Sequence, residues 1–121
     1  MSDITINPPI GNIALKVDVN SMQVVSYIVT VIESDGTTVR ERYTGTIGAN
    51  KSSPITLQNK ASYLNCYFML KVAIIDPNGA GNAYSIDFSV QQNGVTLNPV
   101  ITLTGQTTNQ HVEDIAIFHV R

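Results

Sequence analysis

The chain has 121 residues and a formal net charge of −2. Only 13% of its side chains are charged, about half the usual ~25%. No cluster of Lys and Arg occurs, which excludes nucleic acid as a partner; a single cysteine excludes an intrachain disulfide; and no apolar run approaches the ~20 residues of a membrane span.

The polar surface must then come from uncharged groups, chiefly 11 Asn and 12 Thr. The opening Met-Ser-Asp-Ile-Thr-Ile lacks the basic start and apolar stretch of a Sec signal peptide. The expectation is one domain over residues 1–121, cytoplasmic by default or exported by a non-Sec route.

Period two runs through nearly the whole chain. A short strand is expected near 3–6. In "IALKVDVN", Ile13, Leu15, Val17 and Val19 point one way, while Ala14, Lys16, Asp18 and Asn20 point the other. That is a half-buried strand, near 12–20. The next, near 23–33, alternates less cleanly. Val25, Tyr27, Val29 and Val31 share one face, yet Val24, Ile28, Thr30 and Ile32 make the other face nearly as apolar. Asp35-Gly36 then predicts a hairpin, because both residues tolerate positive φ.

The strand near 38–47 carries Arg40 and Arg42 on one face with Thr38 and Thr44. Such a row is a solvated or charge-guarded face, or a fork for a carboxylate or sulfate. A short strand near 54–57 is followed by "LQNKASYL", which has room for one turn only. The strand near 63–75 again has two apolar faces: Cys66, Phe68, Leu70, Val72 and Ile74 on one, Tyr67, Met69, Ala73 and Ile75 on the other, interrupted by Lys71. Cys66 reads there as a small buried apolar residue.

"DPNGAGN" (76–82) is the roomiest connection. Asp76 and Asn78 fill positions one and three of a calcium loop, but position five is Ala80 and no acidic residue follows at the matching distance. A phosphate cradle fails too, for want of a following lysine and helix. A turn built on Pro77, Asn78 and Gly79 is the simplest reading. Beyond it, "YSIDFSVQ" alternates Tyr84, Ile86, Phe88 and Val90 against Ser85, Asp87, Ser89 and Gln91, giving a strand near 83–91. Asn93-Gly94 predicts a second hairpin into a strand near 95–103. The last strand, near 112–120, puts His111, Glu113, Ile115, Ile117 and His119 on one side. His119 lies six steps from Glu113, about 20 Å at ~3.3 Å per residue, and cannot share a metal with it inside one chain.

The fold class expected is all-β: an antiparallel two-sheet β-sandwich, Ig-like or jelly-roll-like, of eight or nine short strands. No catalytic motif stands out, and no cofactor or metal is expected. Two strands that are apolar on both faces predict that something covers the second face. The function expected is therefore a non-enzymatic interaction module, acting through homo-oligomerisation or by docking a protein partner. Its interface residues would include Tyr27, Ile28, Ile32, Tyr67 and Met69. The alternative is a small lectin-like protein that binds a glycan through Asp76, Asn78, Asn82, Tyr84 and Tyr63. A hydrolytic or metal-dependent enzyme is a more distant third.

Overall fold

The computed structural model describes residues 1–58, 61–76, 81–107 and 111–121. Ten strands are arranged as β1 (Ser2–Ile4), β2 (Ile13–Val19), β3 (Val24–Ile32), β4 (Val39–Ile47), β5 (Ser52–Thr56), β6 (Tyr67–Ile75), β7 (Ala83–Gln92), β8 (Val95–Thr96), β9 (Ile101–Gln106) and β10 (His111–Val120). They form two five-stranded sheets. The first has the order β1-β10-β6-β3-β4; the second runs β5-β2-β7-β8, with β9 also paired to β7. The protein is an all-β two-sheet sandwich. Every pairing is antiparallel except that of β1 with β10, which is parallel. Among the described residues there is no helix long and apolar enough to cross a membrane.

Ten strands replace the expected eight or nine. One reason is that the stretch near 95–103 is two strands, separated at Asn98-Pro99, because proline donates no ladder hydrogen bond. The strand expected from residue 63 begins at Tyr67, after a turn in which the Cys66 amide donates to the Tyr63 carbonyl and Asn65 adopts positive φ. Both hairpins form. At the first, the Asp35 carboxylate accepts from the amides of Thr37 and Thr38, each at 2.8 Å. At the second, Asn93 and Gly94 both have positive φ, as a two-residue turn matched to strand twist requires.

Alternation sorts side chains as the pleat demands. The interior collects Leu15, Val17, Val29, Leu70, Ile86 and their neighbours. Phe88 of the second sheet meets Phe118 of the first with centroids 5.3 Å apart. The two long sides of the sandwich are closed alike. Tyr27 pairs across strands with Gly45 on edge strand β4, and Tyr84 with Gly105 on β9. Each ring lies over its glycine: a Cβ there would sit 2.6 Å from the tyrosine oxygen. Each hydroxyl then reaches the other sheet, Tyr27 at 3.3 Å from Ser53 Oγ and Tyr84 donating to Asp114 Oδ2 at 2.9 Å. Two edge glycines thus let two aromatics span the gap between sheets, which an edge residue with a side chain would block.

Candidate functional site

The register of the first sheet builds a face that looks away from the core. On β6 it carries Tyr67, Met69, Lys71, Ala73 and Ile75, alternating with the buried Phe68, Leu70, Val72 and Ile74. On β3 it carries Val24, Ser26, Ile28, Thr30 and Ile32, and on β10 His111, Glu113, Ile115, Ile117 and His119. Pairing aligns these into rows: His119–Tyr67–Ile32, then Ile117–Met69–Thr30, then Ile115–Lys71–Ile28, then Glu113–Ala73–Ser26. Paired side chains on one face are roughly 5 Å apart. Apolar groups therefore form a belt three strands wide, interrupted at Thr30 and Lys71. Met1, Ile32, Tyr67, Met69 and Ile117 line a shallow depression at one end of it. The His119 and Tyr67 rings stack at 4.4 Å, so the aromatic end of the belt is ordered by contact within the chain.

Charge is sparse on this face and of both signs. Lys71 stands in the middle, and among the described residues its ammonium makes no ion pair. Arg42 flanks Thr30 on β4. Glu113 lies on β10, its Oε1 3.9 Å from His111 Nε2. His119 and Arg121 both approach Asp3, at 3.9 and 3.3 Å.

Four of the five residues expected at an interface lie here: Ile28, Ile32, Tyr67 and Met69. Tyr27 does not. It shares the inner face with Val25, Val29 and Val31 and is buried over Gly45. Neighbours along a strand point to opposite faces, so Tyr27 and Ile28 cannot serve one surface.

The residues expected to bind a ligand separate into two groups. Asp76 and Asn82 come together: Asn82 Nδ2 and Thr107 Oγ1 both donate to Asp76 Oδ2 at 2.8 Å. Asn78 lies outside the described residues. Tyr84 lies on β7, two residues past Asn82, but turns its buried ring onto Gly105. Tyr63 lies at the opposite end of the sandwich, beyond the other end of β6, which spans about 30 Å at ~3.3 Å per residue. It is 0% exposed. A sugar platform needs a ring face open to solvent, and neither tyrosine offers one beside Asp76.

What holds Tyr63 is a group that sequence reading passed over. Glu41 points inward from β4 and is buried. Its carboxylate accepts from the Tyr63 hydroxyl at 2.5 Å, from the Gln58 amide at 2.8 Å and from the Tyr43 hydroxyl. Burial, and next the hydrogen bond to Glu41, push the Tyr43 hydroxyl up to about 12. Arg40 lies over the Tyr63 ring at 5.0 Å. Its fork is engaged by both oxygens of Glu33, at 2.7 and 2.8 Å, and by the Ala61 and Ser62 carbonyls. Arg40 and Arg42 therefore do not form a paired anion fork. Cys66 is buried beside Glu33, and burial raises its thiol. The inward parity of Glu41 with Tyr43 in "RERYTG" was the one sequence clue to this network.

Among the described residues no three His, Cys, Asp or Glu side chains converge as metal ligands. No family model matches the chain, and no curated protein or solved structure matches it either.

Proposed function

We propose that the protein is a non-enzymatic assembly module whose outer β10-β6-β3-β4 face packs against the same face of a second copy. The observation that carries this reading is the belt of Ile28, Ile32, Tyr67, Met69, Ile115 and Ile117 on the side of the sheet that the second sheet does not cover.

Area supports it. Four strands about 4.8 Å apart and nine residues long at ~3.3 Å per residue project to about 19 by 30 Å, or roughly 570 Å². Two such faces bury about 1,100 Å², above the ~1,000 Å² that a specific interface needs.

Charge supports a like partner over an unlike one. A face made for an acidic or basic protein carries one sign. This face carries Lys71 and Arg42 beside Glu113, so a two-fold related copy meets both signs with both signs. The apolar belt and the Arg42, Glu113 and His111 margin repeat the order of an interface core and rim. Light scattering on a size-exclusion column, from a few micromolar to several hundred, tests the proposal. A concentration-dependent dimer is expected; a strict monomer throughout that range refutes it.

A further inference from the structure

The far end of the sandwich carries a second feature, independent of the outer face. Val24 pairs with Ile75 at the last register position of β3 and β6. The next residues, Gln23 and Asp76, continue the inner parity of Val25 and Ile74, and both are buried, at 2% and 3% exposure. Both side chains thus lie at the mouth of the core, where they line one cavity. The amide of Gln23 is oriented, because its Nε2 donates to the Ala83 carbonyl at 3.0 Å. Its Oε1 is left facing no donor, and it is the sole buried side-chain oxygen or nitrogen among the described residues without a hydrogen bond.

Ser21, Gln23, Asp76 and Asn82 line one cavity with Met22 and Ala83. The chain holds it firmly. Asn82 and Thr107 fix the Asp76 carboxylate, the Thr107 amide donates to the Asn82 carbonyl at 2.9 Å, and the Ser85 amide donates to Ser21 Oγ at 3.2 Å. The cavity offers a carboxylate, an amide oxygen that needs a positive partner, and a hydroxyl oxygen. No histidine or cysteine lines it. A set of oxygens with one formal charge suits a hard cation.

We infer that this cavity is a calcium site in which the Asp76 carboxylate and Gln23 Oε1 are protein ligands. No sequence pattern marks such a site: the calcium-loop spacing fails at Ala80, and Gln23 precedes β3, more than fifty residues before Asp76. With one carboxylate the site belongs with weak calcium modules, whose dissociation constants are ~10⁻⁴–10⁻³ M.

Thermal unfolding of the full chain, freed of metal by chelator and dialysis, tests this. Calcium chloride from 0.1 to 10 mM should give a saturable rise in Tm of about 5 °C over sodium chloride at equal ionic strength. Magnesium, which demands a tighter octahedron, should give less than half of that rise. Gln23→Met keeps the volume and removes the oxygen, together with the Nε2 donor to the Ala83 carbonyl. It should unfold cooperatively and lose the calcium response. Asp76→Asn should lose it as well. The inference is overturned if calcium does no more than matched salt, if magnesium does as much, or if Gln23→Met keeps the parental shift. Gln23→Met decides the matter even where Asp76→Asn fails to fold.

Discussion

Met69→Asp separates assembly from folding. Met69 lies in the middle of the outer belt, in register between Ile117 and Thr30, and is half-buried in the single chain. Burying a whole methionine is worth about 1.5–3 kcal/mol. Half of that burial is already present, so about 1 kcal/mol per copy is lost on substitution. The new carboxylate must also give up water without a partner, at ~1–3 kcal/mol or more. A two-fold axis doubles both costs, giving roughly 4–8 kcal/mol, or three decades or more in dissociation constant at ~1.4 kcal/mol per decade. The single chain feels little, because the side chain stays at its surface and strand preference spans only ~1 kcal/mol. Sedimentation velocity and urea unfolding, run on both proteins, give the two quantities. The expected pair is a monomeric Met69→Asp with nearly parental stability extrapolated to infinite dilution. A parent and variant with the same sedimentation at every concentration would falsify the face as the contact.

Gly45→Ala and Gly105→Ala should each cost about 1–3 kcal/mol in urea unfolding through overpacking, since a methyl would meet Tyr27 or Tyr84 at 2.6 Å. Gly48→Ala, whose methyl would lie 3.6 Å from Lys51, is the control, and equal losses at all three sites would contradict the ring-over-glycine account. Glu41→Ala should cost about 3 kcal/mol or more, because hydrogen bonds to a charged group are worth ~1.5–3 kcal/mol each and this carboxylate accepts three; a loss below 1 kcal/mol, measured calorimetrically, would show the network to be incidental. The Tyr43 hydroxyl is raised in the folded chain to about 12 from 10.0. Its contribution is therefore whole below pH 10 and lost as pH climbs from 10 towards 12. Stability followed by denaturant melts should fall across that window, and less steeply in Tyr43→Phe. Identical slopes in the two proteins would assign the fall to other groups.

Much of the fold was legible because a strand writes its two faces into the sequence at period two. "IALKVDV" needed no tertiary information: one set of alternate residues is uniformly apolar and the other is not. The Asp35-Gly36 and Asn93-Gly94 turns were legible because few residues accept positive φ. The candidate interface was legible in part. Period two grouped Ile28 with Ile32 and Tyr67 with Met69, but it cannot say which of two apolar faces is inside. Tyr27 was grouped with Ile28 against that same parity, which sets the two on opposite faces; the structure turns Tyr27 inward over Gly45.

What the chain determined by itself is local: which residues alternate, where the backbone must reverse, and how little charge the surface can carry. Strand order and register decided the rest. They set Tyr27 over Gly45 and Tyr84 over Gly105, brought Gln23 and Asp76 to one cavity, sent Tyr63 some 30 Å (nine residues at ~3.3 Å) from the Asp76 it was grouped with, and aligned β10, β6 and β3 so that their outer residues form one belt. None of these pairings has a signature in one segment. Each joins residues distant in sequence, and its energy arises only when two strands meet in one register.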